Sequence, residues 1–372
     1  DPTVNRQSGL LKPEINQSET LGSSLTLPYF YVLNESKDFT VKPTWFDKDI
    51  SMLQNEYREA NANFFLLADF GFVNGFRSST TSKSKNLNHL FVNLNYDLNL
   101  DNFISSNLTL NIEQTNNDTY LKIFEPHITK SDARPGNFNT LENNLDINLN
   151  HEEYNLNLGI ISYENLQEEK KSDRYQYVLP FYDFDKILDD NFLSGSLTFY
   201  SNGSNSLNKT NQLKSNIIND LSYKSDNFIT NLGVSNNLDI NIKNLNSIGK
   251  NYSEYKSSPQ IELVSLFSFN SSLPLQKIDD NYQSYLTPKT SFRFNPSDMK
   301  DNSLESNKIN VGNVFNANRL GLSDTHEAGR SLTLGLDYRI ENLKINENKE
   351  LENINKYFEF KLATVLRDKE EN

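Results

Sequence analysis

From Leu90 onward the chain alternates: Leu90, Val92, Leu94, Tyr96, Leu98 and Leu100 fall on one face of an extended segment, and Asn93, Asn95, Asp97, Asn99 and Asp101 on the other. The period of two returns at Leu108, Leu110 and Ile112, at Leu145, Ile147 and Leu149, at Tyr154, Leu156, Leu158 and Ile160, and at Leu193, Leu197 and Phe199. It continues at Phe228, Leu232 and Val234, at Leu238, Ile240 and Ile242, and at Leu332, Leu334, Leu336, Tyr338 and Ile340. A helical period fits none of these windows. The pattern predicts about 16 to 18 strands, many near the roughly 9–11 residues that a tilted membrane span requires.

Connections alternate in length. Short turns are predicted near Asp101-Asn102, His151-Glu152-Glu153 and Ser225-Asp226-Asn227, and long polar loops near 77–87, 125–140, 165–173, 201–211 and 243–259. Short turns on one side and long loops on the other are what outer-membrane barrels show. A soluble sandwich imitates this with shorter strands and more Gly and Pro. The alternation lapses between Pro296 and Glu327, which predicts one large loop, outside or folded into the interior. No fixed-period self-similarity marks a solenoid or propeller. The expected fold is therefore all-β: a large antiparallel transmembrane outer-membrane barrel, partial, as one segment over residues 1–372.

Composition changes this picture little. Of the 372 residues, 36% are hydrophobic and 12% aromatic, and the mean hydropathy is −0.65, so half of the strand surface is expected to be wet. A net charge of −13 with no basic stripe argues against nucleic acid. The absence of cysteine removes disulfides and thiolate metal sites. The densest apolar run, Phe64-Phe65-Leu66-Leu67-Ala68, is far short of a transmembrane helix. Residues 1–5 carry no signal peptide, which leads us to expect a mature or truncated product. The last strand, around Tyr357–Leu362, runs into Arg367-Asp368-Lys369-Glu370-Glu371-Asn372 rather than ending on an aromatic, so closing strands are expected to be missing.

Two proline-bearing segments open the chain, Arg6-Gln7-Ser8-Gly9-Leu10-Leu11-Lys12-Pro13 and Leu25-Thr26-Leu27-Pro28-Tyr29-Phe30. They resemble the barrel entry of the lipopolysaccharide-assembly protein LptD family, also called organic solvent tolerance proteins. Asp38-Phe39-Thr40-Val41-Lys42-Pro43 resembles that family's third strand and Asn55-Glu56-Tyr57-Arg58 its next. Tyr177-Val178-Leu179-Pro180 resembles a central strand, and Tyr285-Leu286-Thr287-Pro288 an "L-x-P" element. The late match runs from Asn313 through Asn318-Arg319, Gly321 and Asp324 to Glu327 and Arg330; it departs from the family stretch at Thr325, where arginine is common, and at Ala328, where glycine is.

The resemblance implies an outer-membrane translocon component that inserts lipopolysaccharide into the outer leaflet of a Gram-negative cell. It implies an LptE-like lipoprotein plug, and an LptA-like periplasmic bridge acting through an N-terminal jelly roll absent here. Family disulfides between the two domains could not form in this chain. Isolated, the segment is expected neither to close nor to transport. Proline gives no N–H to a sheet ladder, so Pro13 and Pro28 make a lateral gate, or else sit at a rim or bulge where proline is ordinary. Asn93, Asn95, Asn148 and Asn157 are expected to line a hydrated interior, as in any wide barrel.

No enzyme, cofactor or metal is expected. His89, His127, His151 and His326 are too scattered for a metal site and are read as surface or loop residues. Asp183, Asp185, Asp189 and Asp190 lack the glycine of a calcium loop, Leu188 standing in its place. Arg58, Arg319 and Arg330 are candidates for phosphate binding or for anchoring a loop through Asp324 or Glu327. Two other functions stay open: a general porin, and a barrel lipid hydrolase in which His89 would serve a strand serine.

Overall fold

The computed structural model describes residues 6–77, 84–253, 255–279, 282–298, 308–345 and 351–368. Its strands form an antiparallel all-β sheet of 21 segments, with two short helices. No helix among the described residues is long and apolar enough to cross a membrane. Two compact units divide the chain: Asp1–Phe184 with Gly203–Asn216 and Ile248–Ser258, and Asp185–Asn202 with Ile217–Ser247 and Pro259–Asn372.

The first unit opens with β1 (Gly9–Leu10), β2 (Glu14–Ser18), β3 (Gly22–Thr26) and β4 (Tyr29–Asn34). An uninterrupted meander follows: β5 (Lys37–Phe46), β6 (Ser51–Asn61), β7 (Phe64–Arg77), β8 (Ser84–Asp97), β9 (Ser105–Thr115), β10 (Thr140–Asn150) and β11 (Tyr154–Asn165). Helix α1 (Tyr120–Phe124) lies between β9 and β10, and α2 (Lys171–Arg174) precedes β12 (Tyr175–Asp189). β12, β13 (Gly195–Asn208), β14 (Gln212–Ser225) and β16 (Ser235–Lys250) contribute residues to both units, with the short β15 (Phe228–Ile229) between the last two. The second unit continues with β17 (Gln260–Ser272), β18 (Leu275–Ile278), β19 (Tyr282–Asn295), β20 (Gly329–Ile345) and β21 (Leu351–Arg367). Among the described residues, four short segments continue a neighbour across a break of two or three residues, leaving 17 longer strands, within the range the alternation predicts.

Register turns the alternation into rows. In the first unit Leu66, Leu94, Leu110, Leu145 and Ile160 stand opposite one another across five strands, as do Phe64, Tyr96, Leu108, Ile147 and Leu158. The other face carries Asn107, Asn148 and Asn157 in one row and Asn95, Thr109 and Asp146 in another. In the second unit Leu238, Phe269, Phe292, Leu332 and Leu366 form the apolar row, and Asp239, Ser268, Arg293, Ser331 and Arg367 the polar one.

Burial is opposite to that of a soluble sheet. Along β19, Ser291 is 1% exposed, Phe292 46% and Arg293 3%; along β6, Leu53 is exposed while Gln54 on the other face is buried. At these positions the polar face, here termed the inner face, is the covered one, whereas Asn95, Asn107 and Asn148 on the polar face of β8 to β10 are exposed. Asparagine is a poor strand former, yet here it pairs sideways: Ser291 Oγ donates to Asn270 Oδ1 (2.6 Å) and Asn270 Nδ2 to Asp239 Oδ2 (2.9 Å). Such pairs satisfy groups that would otherwise be stranded under cover.

The first unit departs from this rule, which explains why Phe64–Ala68 reads as unbroken apolar sequence. The inner faces of β5 to β8 carry Phe46, Met52, Leu67, Val73, Phe76, Leu87 and Phe91, and these bury Tyr120, Leu121 and Phe124 of α1 together with Ile128 and Ala133. Phe124 meets Phe46 and Phe76 edge-on at 6.2 and 5.8 Å. The segment read as a polar loop at 125–140 is thus part of an apolar core. Gln54 clamps it, its amide oxygen accepting from the Thr129 N–H at 3.0 Å.

Several boundaries also shift. Leu98 and Leu100 follow the end of β8. The turn placed at Ser225-Asp226-Asn227 is a break between β14 and β15, and the hairpin turns at 230–234, where Thr230 N–H donates to Val234 O (2.9 Å) and Gly233 takes φ +81°. Leu232 and Val234 therefore leave the alternating set. Residues 201–208 and 243–250, expected in loops, extend β13 and β16. Leu193 sits in a turn with φ 48° rather than in a strand. Most of the 77–87 connection, part of the 296–327 lapse and residues 369–372 of the charged end lie outside the described residues.

Candidate functional site

The inner face of the second unit holds a segment that the strand pattern does not account for. Residues 308–328 lie over it, anchored through Glu327. Arg293 Nη1 donates to Glu327 Oε2 at 2.9 Å, Arg319 engages both carboxylate oxygens, and Arg367 reaches Oε1. Arg319 also donates to Ser331 Oγ and Thr333 Oγ1, each at 3.3 Å. Burial disfavours the Glu327 charge, but Arg319, Arg293 and Arg367 outweigh it and hold the carboxyl below its ordinary range.

Local chemistry shapes the Asn318-Arg319 turn. Asn318 Oδ1 accepts from Leu322 N–H (3.0 Å) and its Nδ2 donates to Leu322 O (2.6 Å), closing a turn in which Gly321 takes φ +68°. Phe315 packs over Gly335, where a Cβ would come within 2.5 Å of the ring. At the far end Asn295 Nδ2 donates to the carbonyls of His326 and Glu327, both at 3.1 Å, and Lys243 Nζ donates to Ser323 O at 2.9 Å.

A cavity of about 730 Å³ adjoins this segment, lined by Ser222, Asn237, Asp239, Asn241, Lys243, Ser268, Asn270, Lys289, Phe315, Asn318 and His326 among others. His326 Nε2 donates to Asn241 Oδ1 (2.6 Å), which leaves Nδ1 as a buried acceptor without a hydrogen-bond partner. Burial, then Lys243 and Arg293, push the His326 pKa down to about 4. Unfolded, the ring titrates near 6.5, so the unfolded chain takes up the proton first and stability falls as pH drops from about 6.5 toward 4. Denaturant titration from about pH 7 to about pH 5 should show a loss near 2 kcal/mol. His326→Gln should remove most of that dependence; an unchanged profile would refute it.

In the first unit, Pro13 and Pro28 both fall outside strands, in the breaks between β1 and β2 and between β3 and β4. β1 pairs with β4 as Gly9↔Phe30, and β2 with β3 as Glu14↔Thr26. The two prolines thus stand at the same level of one hairpin, where Leu11, Lys12 and Pro13 face only Leu27 and Pro28. One bond bridges the break, from Leu11 N–H to Pro28 O at 2.8 Å, and Leu27 N–H turns to Pro43 O at 3.1 Å. Both prolines thus lie in breaks between strand segments rather than within a strand.

His89, Asp69 and Tyr120 form a sealed group in the same unit. His89 Nδ1 lies 2.7 Å from the Tyr120 hydroxyl and Nε2 3.3 Å from Asp69 Oδ1, and the ring stacks on Phe91 at 4.3 Å. It passes over Gly71, where a Cβ would meet it at 2.2 Å. Burial, with Asp69 near, raises the Tyr120 pKa, so the phenol stays a donor. His89, His127 and His326 are all buried: His89 stands in β8, against the expectation of a surface or loop position, while His127 and His326 lie in loops that are covered, and His151 precedes a turn, stacked on Tyr154.

Of the residues in the late motif, Arg319 meets Glu327, and Asn318 closes the turn that holds Gly321. Asp324 is half-buried. Arg330 is exposed, its N–H donating to Asp368 Oδ1 at 2.8 Å and its guanidinium over Phe294, rather than pairing with Asp324 or Glu327. Arg58 binds Asp38 at 2.8 Å. Asn93, Asn95, Asn148 and Asn157 occupy the inner-face rows. Sequence reasoning missed Arg293, Arg367, Lys243 and Asn241; the signal for Arg293 was a basic residue on the polar side of Ser291–Asn295.

No family model matches the chain, and no curated protein matches it. Among solved structures, a bacterial polysaccharide outer membrane secretin aligns over 73% of this chain and 84% of its own, at 10% identity and a TM-score of 0.28. BamA from Haemophilus ducreyi lacking POTRA domains 1–3 aligns over 96% of this chain and 69% of its own, at 8% identity and a TM-score of 0.19. Likeness at this level says nothing about what the chain binds.

Proposed function

We propose that the chain is part of an outer-membrane β-barrel wall that conducts lipopolysaccharide to the outer leaflet and releases it sideways through its first strands. The observation that carries this reading is the pairing of exposed apolar rows with a first hairpin broken at Pro13 and Pro28. A strand wall whose apolar side chains face outward suits hydrocarbon, and one whose inner face is polar suits sugar and phosphate. Lipopolysaccharide needs both solvents at once, so the wall must part somewhere. Each ladder bond absent at the break removes about 0.5–1.5 kcal/mol net from the seam.

On this reading an LptE-like lipoprotein would contact the interior and an LptA-like bridge would deliver substrate through a jelly roll; no covalent step is required. A general porin fits less well, because α1 and residues 308–328 cover inner-face positions of their respective units.

Photo-crosslinking residues placed at Leu11 and Leu27 should yield lipopolysaccharide adducts in cells, with few from Asn148. Pro28→Val, which restores an N–H, should stabilise the hairpin by about 1 kcal/mol and slow export. Equal adducts at all positions, or steady conductance to small solutes, would count against the gate. Trp45, the one tryptophan, is exposed on β5 and should be quenched by brominated acyl chains in vesicles; no quenching would remove the membrane placement itself.

A further inference from the structure

We propose that Arg293, Arg319 and Arg367 form a binding site for a phosphate group, and that the Glu327 carboxylate occupies it as a resident stand-in that a phosphorylated ligand displaces. Three guanidiniums converge on one carboxylate, so these four side chains together carry two excess positive charges. Arg293 and Arg319 are almost wholly buried, and Arg293 Nε is a buried donor with no hydrogen-bond partner. A planar carboxylate presents two oxygens; a phosphate presents three and up to two charges, matching forked guanidinium donors more fully. The hydroxyls of Ser331 and Thr333 already lie against Arg319 at 3.3 Å and complete a donor cage of the kind that phosphate oxygens require.

Access would open from the cavity of about 730 Å³, whose lining includes Ala317, Asn318, His326 and Ser268 but none of the four socket side chains, and from Arg367, whose side chain is partly exposed. Ser268 is the cross-strand partner of Arg293. Lys243 and Lys289 stand on the same cavity wall, each paired with a carboxylate, Asp220 and Asp337 respectively, so the excess positive charge is that of the guanidinium socket itself. Because Glu327 ends the 308–328 segment, its displacement would free that segment from the inner face. Tethering gives Glu327 a high effective concentration, so monoanions should compete poorly and multiply charged phosphates well. The site stands on these contacts alone and does not depend on the lipopolysaccharide reading.

The test uses the full chain reconstituted in vesicles, with pyrophosphate as the probe. The chain lacks cysteine, so a fluorophore on Ser323→Cys reports the segment without other labelling. In the wild type, pyrophosphate should give a saturable change in the signal that chloride at equal ionic strength does not. Glu327→Asp, which keeps the charge but shortens its reach, should shift the midpoint at least about tenfold lower, and Glu327→Gln should bind more tightly still in calorimetry. Arg319→Gln should abolish the response. A midpoint unmoved by Glu327→Asp, or a response that survives Arg319→Gln, would overturn the proposal. So would a signal that chloride reproduces. If Glu327→Gln fails to fold, the wild type and Glu327→Asp decide the matter.

Discussion

His89→Leu is expected to destabilise the first unit by about 3–5 kcal/mol, because it takes from buried Asp69 the imidazole Nε2 that stands 3.3 Å from its carboxylate and strips the Tyr120 hydroxyl of its acceptor. The double variant Asp69→Leu with His89→Leu should recover much of that loss, since both desolvated groups then disappear together. Denaturant unfolding of the two single variants and the double measures the coupling directly. A His89→Leu chain within about 1 kcal/mol of the wild type would show that the group is not a buried pair at all. Gly71→Ala offers a check on geometry: the added Cβ meets the imidazole at 2.2 Å, and the ring must move.

A single arginine on the apolar row should be the second costly change. Leu110 stands mid-row between Leu94 and Leu145, and Leu110→Arg in lipid vesicles is expected to cost about 2–4 kcal/mol, the range for a cation on the hydrocarbon face of a strand. Its neighbour Asn111→Arg, on the polar face, should stay within about 1 kcal/mol. Both are read from unfolding in the same vesicles. Should Asn111→Arg prove the more damaging, the leucine rows would be facing something other than lipid and the membrane proposal would fall.

Much of the architecture was legible because strand alternation is a local property. The apolar rows of β8 to β11 follow from side chains two residues apart, and antiparallel pairing then brings Leu94, Leu110, Leu145 and Ile160 level. The motif through Asn318 and Gly321 was visible too, since Asn318 closes its own turn with Leu322. What failed were places where distant residues cancel the local rule. Phe65 and Leu67 break the alternation because α1, some fifty residues later, needs an apolar wall. The 125–140 stretch looked polar because few of its side chains are buried, but those few form the centre of a core. Leu232 and Val234 kept the right spacing for a strand while Gly233 supplied a turn.

The functional residues divide in the same way. Pro13 and Pro28 were identifiable as ladder breakers from chemistry alone, but that both fall in the same break of one hairpin depends on the register of its two arms. An arginine anchored through Asp324 or Glu327 was open to expectation from the sequence; that Arg293 and Arg367 join Arg319 on Glu327 was not, because those residues come from β19 and β21 and meet only when the strands align. By itself the sequence determined that these are long antiparallel strands with one apolar and one polar side, since that depends on side-chain order along a backbone of period two. Only the tertiary structure decided what covers the polar side, because three guanidiniums can share one carboxylate only where folding has already removed water and brought remote strands together.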